Sequence, residues 1–273
     1  MESQRSFLII ALALVSFLLW QQWQVDYSPK PVVATQATPA TQTTGTSADL
    51  QLSGSIAATP TAAITTASAV QLIEVKTDVL TVKINTQGGD IVGLELPGFT
   101  VSQENPSSYQ LMRQLNGFEY VAQSGLLGDG PDDKKAPRQT YQTAQTSYQL
   151  ASGQTELVVP MTLVHNGLLI EKRFIFNAGK YDVRVEYSVT NQGDGSKVIQ
   201  PYYHFAQTID NGQGSNMMMP VYRGGAYSTA EQRYEKFSFE DMADANLNQS
   251  TKGGWISMLE HYFVAAWVPN PED

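Results

Sequence analysis

The sequence has 273 residues, a formal net charge of -9 and no cysteine. The acidic balance argues against a nucleic-acid-binding surface, because phosphates would be repelled, and against a polybasic surface for anionic lipid. The lack of cysteine excludes a disulfide framework, thiolate metal sites and cysteine nucleophiles, so a folded domain must be stabilised by a sizeable core.

The chain begins with an apolar segment. Residues 6–23 carry no charge and come close to the roughly 20 residues that a helix needs to cross a bilayer. Trp20 and Trp23 stand at its far end, where indole rings favour the boundary between membrane and water. Arg5 precedes the segment, and the positive-inside rule therefore places residues 1–5 in the cytoplasm. We predict an uncleaved transmembrane anchor whose membrane-interface residues are the two tryptophans.

The alternative is a secretory signal peptide, since the continuous apolar core from Phe7 to Trp20 is short for a span. No small-x-small cleavage site follows this core. Ala34 and Ala37 lie too far downstream to form a typical cleavage site. A lipidated N terminus of the bacterial lipoprotein type needs a cysteine, which the chain lacks. Both interpretations export the rest of the chain.

Residues 24–70 are predicted to be a disordered linker. From Ser28 onward they consist mainly of Thr, Ala, Gln, Ser and Pro, with almost no charged or aromatic residues. Such a composition buries too little apolar surface to offset the entropy lost on ordering. The linker would let the following domain, residues 71–273, move above the membrane.

The first half of this domain shows strand patterns. Leu80, Val82 and Ile84 alternate with polar residues, as in a half-buried strand. A second strand is predicted at Ile91 to Leu96, and Pro97-Gly98 is expected to end it. Further strands are predicted at Phe118 to Ala122, Tyr141 to Leu150 and Val198 to Ile209.

The clearest pattern is a hairpin. Residues 156–165 and 168–176 are apolar-rich runs joined by His165-Asn166-Gly167, and Asn-Gly is the strongest short hairpin signal. Residues 181–190 then alternate strictly between apolar and polar side chains, which is typical of an antiparallel strand with one solvated face.

The last part of the chain is less regular. Residues 229–247 have a helical composition but poor periodicity, which predicts one or two short helices. Residues 255–269 form an apolar run that is expected to be one core strand. Many short strands at close turn spacing predict an all-β sandwich with a few short helices.

No catalytic or metal-binding pattern is present. His165, His204 and His261 lie far apart and none has a ligand partner at helical spacing. The best acid–base pair is His204 with Glu186 or Asp210, and nothing in the sequence brings them together. We therefore predict no catalytic residue, no metal site and no cofactor.

Several short strings resemble one family, and they run in that family's order along nearly the whole chain. They are Met1-Glu-Ser-Gln-Arg5, Trp20-Gln-Gln-Trp23, Val75-Lys-Thr-Asp-Val-Leu80, Ile84-Asn-Thr-Gln-Gly-Gly-Asp90, Gly130-Pro-Asp-Asp133, Arg223-Gly-Gly-Ala-Tyr-Ser-Thr229, Tyr234-Glu-Lys-Phe237, Ser250-Thr-Lys-Gly-Gly-Trp255, Tyr262-Phe263 and Trp267-Val-Pro269. The chain resembles the YidC/Oxa/Alb family of membrane protein insertases, in its proteobacterial form.

This resemblance implies an N-terminal anchor followed by a periplasmic β-supersandwich similar to galactose mutarotase. In the family, five further membrane helices carry insertion through a hydrophilic groove with a functional arginine. No position of this sequence matches that groove. The resemblance thus implies that the inserting helices and the last strands of the periplasmic domain lie outside this chain.

The function implied is assistance to the insertion and folding of bacterial inner-membrane proteins, alone or with the Sec translocon. The expected partners are inner-membrane lipid, nascent membrane proteins and the translocon with its periplasmic accessory subunits, and no enzymatic activity is expected. A carbohydrate-binding protein or a mutarotase-like enzyme on the same sandwich is the alternative. A purely structural envelope tether is a third interpretation.

A partner-binding surface is predicted between Arg223 and Trp255, where tyrosines and paired glycines accompany the irregular segment. Irregular segments on a rigid sandwich are common recognition sites, and Tyr and Arg often anchor interfaces. Arg223, Tyr227 and Tyr234 are the candidate contact residues. Alternatively, the two tyrosines pack the helical segment onto the sheet, and Gly224 and Gly225 turn the chain.

Overall fold

The computed structural model of the chain describes residues 70–115, 117–132, 137–209, 222 and 224–270. The first strands are β1 (Leu72–Lys76), β2 (Thr81–Asn85), β3 (Asp90–Thr100), β4 (Ser108–Leu115), β5 (Phe118–Gly128), β6 (Ser147–Gln149) and β7 (Glu156–His165). The chain continues with β8 (Leu168–Asn177), β9 (Val183–Asn191), β10 (Ile199–Gln207), β11 (Gly224–Ser228), β12 (Glu235–Ser238), the helix α1 (Phe239–Asp244), β13 (Trp255–Leu259) and β14 (Val264–Trp267).

The largest sheet has seven strands in the order β10-β5-β4-β3-β2-β1-β6. Its neighbouring strands pair antiparallel, except that β1 and β6 run parallel. Apolar side chains alternate with polar ones along β1 and β2, so that Ile73, Val75, Val82 and Ile84 are fully buried. This alternation gives the large sheet one face that belongs to the core.

Strands β7, β8 and β9 form a three-stranded antiparallel meander. Asn166 and Gly167 join β7 to β8 with φ angles of 48° and 78°, the left-handed conformation that a two-residue hairpin turn requires. The predicted hairpin is confirmed, with its register from Glu156 opposite Asn177 to His165 opposite Leu168.

The third sheet has four strands in the order β12-β11-β13-β14, all antiparallel. The helix α1 follows β12 directly, and Ser238 caps it by accepting a hydrogen bond from the Asp241 backbone. One six-residue helix thus stands in residues 229–247, within the predicted one or two. The described residues form an all-β architecture, as the sequence predicts.

One continuous core joins these sheets. It includes inward-facing residues of the large sheet together with Val159 and Met161 of β7 and Leu168, Ile170 and Phe174 of β8. Because the core residues come from strands in different sheets, the meander must pack face to face on the large sheet, as in a sandwich.

Three strand boundaries differ from the sequence-based prediction. β3 continues through Pro97 and Gly98. These two residues lie in an exposed stretch of the strand, which tolerates the missing backbone N–H group of the proline. The run 255–269 is two strands, β13 and β14, because the chain reverses at residues 260–263. Residues 141–150 contain only the short strand β6. Before it the chain makes two isolated bridges, from Thr140 to Gln87 and from Gln142 to Thr162, in place of a continuous strand.

The predicted anchor, residues 6–23, and the predicted linker, residues 24–70, lie outside the described residues except for residue 70. Among the residues that are described, no helix is long and apolar enough to cross a membrane.

Candidate partner-binding surface

Tyr227 lies in β11, one of the two inner strands of the four-stranded sheet. It stands opposite Glu235 of β12 and Ile256 of β13, and its side chain is half-buried. Gly224 and Gly225 lie in the same strand β11, so they do not form a turn.

The two glycines permit a close approach of the neighbouring elements. A Cβ atom on Gly225 would stand 2.6 Å from the Met242 side chain, and one on Gly224 would stand 3.1 Å from the Ser238 Cα atom. Gly224 also has a φ of 148°, which favours glycine. The paired glycines therefore let β12 and α1 lie directly against β11.

Tyr234 immediately precedes β12 and is 51% exposed. Its ring centroid lies 6.1 Å from that of Trp255. Trp255 pairs with Ser228, the neighbour of Tyr227, and successive side chains of a strand point to opposite faces. Tyr234 and Trp255 thus share one face of the sheet, while Tyr227 points to the other.

Charged groups surround the aromatic residues. The Lys236 ammonium lies 4.5 Å from the centroid of the Tyr222 ring, and the Tyr222 hydroxyl donates a hydrogen bond of 2.7 Å to the Gly225 carbonyl. On α1, hydrogen bonds from Ser238 lower the pKa of the exposed Asp241 carboxyl. The surface therefore combines exposed rings with charges of both signs. Arg223, Trp20 and Trp23 lie outside the described residues.

A second polar arrangement is buried between the meander and the large sheet. Lys172 of β8 is fully buried, and its Nζ atom donates hydrogen bonds of 3.1 Å to the carbonyls of Gly88 and Ser124. The rings of Phe174 and Tyr187 lie 5.3 and 5.2 Å from the same atom, measured to their centroids. Lys172 thus joins β8 to both the β2–β3 turn and β5.

Arg138 donates to the same two carbonyls, at 3.3 Å to Gly88 and 2.8 Å to Ser124. Its guanidinium also pairs with the carboxylate of Asp90 and, at 3.1 Å, with that of Asp132. Two cations and two carboxylates therefore meet between the sheets.

Burial sets the direction of the pKa shift for Lys172 and Asp90, whereas neighbouring charges set it for Arg138. Burial and, to a lesser extent, the Arg138 charge together lower the pKa of Lys172 to about 7, against the attraction of Asp90. Burial raises the pKa of Asp90 in spite of Arg138 and Lys172. For Arg138, burial acts to lower the pKa, but the charges of Asp90 and Asp132 outweigh it and raise it.

The three histidines stay apart. His165 contacts Asn166 at the hairpin, His204 contacts Gln123 on β5, and the His261 ring lies against Tyr262. Glu186 pairs with Arg173 and Arg184, and in the described part of the chain no hydrogen bond or ion pair joins it to His204. Asp210, the other candidate acid, lies outside the described residues, in which no group of three metal-ligating side chains comes together either.

Comparison with known proteins decides the family. A model of the YidC periplasmic domain matches residues 72–273. The chain belongs to the YidC periplasmic domain family. This match covers every described strand of the YidC-family chain.

Curated relatives carry the name Membrane protein insertase YidC. The chain is 47% identical over 275 residues to the protein of Shewanella baltica, 46% identical over 275 residues to that of Shewanella pealeana, and 46% identical over 276 residues to that of Shewanella woodyi. Each alignment covers 100% of this chain and 50% of the relative. The YidC-family chain thus spans about half the length of these relatives, whose name does not support the carbohydrate-active alternative.

The buried charged cluster of this YidC-family domain was missed by sequence reasoning, but a signal for it exists. Lys172 lies on the inward-facing side of β8. Its neighbours on that side of the strand are buried and apolar; they are Leu168, Ile170, Phe174 and Phe176. A lysine in an otherwise apolar alternation predicts a buried cation that needs acceptors. Its partners come from turns and strands far away in sequence, which no local pattern can predict.

Proposed function

We propose that this chain is the N-terminal part of a membrane protein insertase and chaperone of the bacterial inner membrane. In this proposal residues 6–23 anchor it, residues 24–70 tether it, and the domain from residue 71 onward is a periplasmic supersandwich of the mutarotase type. The domain binds proteins and lipid and performs no catalysis of its own. Its clients are nascent membrane proteins, and the insertase acts on them either by itself or together with the Sec translocon.

The observation that carries this proposal is the extent of the similarity. Identity of 47% extends over the whole chain, including the apolar N-terminal segment, in relatives named as insertases. A shared sandwich fold alone would not indicate function, because one fold hosts many activities. Similarity that also includes an uncharged segment close to membrane-spanning length supports the proposal of an anchor followed by an exported domain.

The test is reconstitution of the full-length protein into liposomes. A short two-span membrane protein is synthesised in their presence, and its insertion is measured by protection from an added protease. Protection is expected with the full-length protein, and not with empty liposomes. Equal protection in both would overturn the proposed function.

Within this function we propose that Arg223, Tyr227 and Tyr234 belong to a surface that contacts the periplasmic accessory subunits of the translocon. The exposed Tyr234 ring supports this role, because half of it remains open to solvent beside Trp255 and tyrosine is a frequent interface anchor. Tyr227 is half-buried on the other face of the sheet. It would therefore contribute indirectly, by fixing the position of strand β11 on which the contact surface is built.

Replacement of Tyr234 by alanine separates an interface residue from a packing residue. Because the side chain is half exposed, its truncation should cost at most about 1 kcal/mol of stability. We expect crosslinking of the full-length protein to the translocon to fall while the melting temperature changes little. Tyr234→Phe, which keeps the ring, and Val164→Ala, at a position 66% exposed on β7, are the controls. A drop of several degrees with unchanged crosslinking of the folded protein would show that Tyr234 is a packing residue.

A further inference from the structure

Asp90 brings two carboxylate oxygen atoms into the buried charged cluster, and the residue is only 4% exposed. Its Oδ2 atom accepts hydrogen bonds from Arg138 and, at 3.0 Å, from the side-chain amide of Gln123. In the described part of the chain its Oδ1 atom, which is also buried, has no hydrogen-bond partner. An unpaired buried carboxylate oxygen costs more free energy than an unpaired neutral group, so Oδ1 requires a donor.

The hydroxyl of Tyr141 is in the same position. The side chain is only 2% exposed, and among the described residues its hydroxyl has no hydrogen-bond partner. The backbone N–H of Tyr141 donates to the Thr86 carbonyl at 2.9 Å, which places this residue beside the β2–β3 turn. Burial raises the pKa of Tyr141, the charges of Asp132 and Asp90 raise it further, and the charge of Arg138 opposes them. The hydroxyl therefore lies within electrostatic reach of the buried charged cluster.

The amine of Lys172 approaches from the meander. A charged amine has three N–H groups, and the hydrogen bonds to the carbonyls of Gly88 and Ser124 use two of them. Burial lowers the pKa of Lys172, and the attraction of Asp90 opposes this shift. Asp90 pairs directly with Arg138, and within the described ranges no ion pair joins it to Lys172. Polar groups that interact without direct contact are commonly bridged by a third group.

Charge and packing limit what can bridge these three groups. The two cationic side chains of the cluster disfavour a metal ion, and its two carboxylates disfavour an anion. The space is also small, because a Cβ atom on Gly89 would stand 2.8 Å from the Met161 side chain and 3.2 Å from the Lys172 Nζ atom. Water is small and neutral, it both donates and accepts, and a buried water molecule typically makes about three hydrogen bonds.

We propose that the buried charged cluster is a binding site for one water molecule, which donates a hydrogen bond to Asp90 Oδ1 and accepts hydrogen bonds from the Tyr141 hydroxyl and the third N–H of Lys172. The site joins three separate parts of the chain, namely the start of β3, the segment before β6 and the meander strand β8. The bound water thus links the meander to the large sheet at a point where the side chains do not meet directly. This inference concerns the interior of the domain and is independent of the proposed insertase activity.

A high-resolution crystal structure of the whole chain in detergent tests the site directly. We expect one isolated density peak at about 2.7–3.2 Å from Asp90 Oδ1, the Tyr141 hydroxyl oxygen and the Lys172 Nζ atom. A direct hydrogen bond between Tyr141 and Asp90, a direct ion pair between Lys172 and Asp90, or no peak among the three groups would overturn the proposal. Thermal unfolding in sodium, potassium and choline chloride at equal ionic strength identifies the occupant. Equal melting temperatures are expected for water, and a melting temperature that depends on the cation would assign the site to an ion and overturn the proposal.

Tyr141→Phe provides an independent test in solution. If the hydroxyl binds the water, its removal should lower the melting temperature of the whole chain by about 2–4 °C, the effect of one lost hydrogen bond in a domain of this size. Tyr187→Phe is the matched control, because it removes a buried hydroxyl that bonds Ser124 directly at 3.0 Å, and it should give a similar decrease. An unchanged or raised melting temperature for Tyr141→Phe, beside a decrease for Tyr187→Phe, would show that the Tyr141 hydroxyl binds nothing and would overturn the proposal.

Discussion

Replacement of Lys172 by methionine tests whether the buried amine controls the pH dependence of stability. Methionine has a similar length and no charge, and a polarisable side chain suits the space between Phe174 and Tyr187. The two carbonyls that Lys172 contacts remain hydrogen-bonded, because Arg138 also donates to both. The substitution therefore removes the titrating group without leaving these acceptors unpaired.

The expected change in the free energy of unfolding follows from the pKa shift of Lys172. Burial lowers the pKa of Lys172 from 10.5 to about 7, so between these values the folded chain binds fewer protons than the unfolded chain. Stability must then rise with pH across this window and be lowest below it. From about pH 7 to about pH 9.5 the rise contributed by this one group is about 3 kcal/mol. Burial raises the pKa of Tyr120, Tyr141 and Tyr187, and ionised tyrosine therefore opposes the rise only at higher pH.

The assay is urea unfolding in mild detergent, followed by near-ultraviolet circular dichroism at several pH values. The free energy of unfolding of the unchanged chain should rise by about 3 kcal/mol over the window, and that of Lys172→Met should lack this rise. Lys83→Met, on the exposed face of β2, should retain it. Parallel curves for the unchanged chain and Lys172→Met would refute the assignment of the titration to Lys172.

Two further substitutions probe the core and the hairpin. Tyr120→Phe removes a fully buried hydroxyl that has no hydrogen-bond partner in the described part of the chain; stability should stay equal or rise by up to about 1 kcal/mol, and a clear loss in thermal unfolding would contradict this. Gly167→Ala forces a side chain into a φ of 78° and should cost about 1 kcal/mol. Gly98→Ala, where a Cβ atom would meet only the Tyr181 hydroxyl at 3.7 Å, is its control, and an equal effect of the two would contradict the turn assignment.

The regular strands of this domain could be predicted because their signals are local. Alternation along β9 and the Asn166-Gly167 turn determine the meander without reference to the rest of the chain. The reversal between β13 and β14 was missed because Glu260, His261, Tyr262 and Phe263 include no glycine or proline. A hydrogen bond from the Glu260 backbone to the Phe263 carbonyl closes this turn instead.

The paired charges could not be predicted because they depend on contacts between distant segments. Arg138 reaches Asp90 and Gly88 across about 50 residues of sequence. Similarly, the opposite orientation of Tyr227 and Tyr234 follows from the register of β11 with β12 and β13. Composition identified the segment, but only pairing defines which side chains share a face.

The topology of the large sheet has a consequence for the order in which the strands pair as the chain emerges from its N terminus. The meander makes its pairings between neighbours in sequence, so it can form as soon as its three strands have emerged. The large sheet needs β1 to wait about 70 residues for β6, and β5 to wait about 80 residues for β10. Strand β1, the first strand of the domain to be synthesised, therefore acquires its second neighbour late. Until then its edge remains open to chaperones, proteases and other unfinished chains.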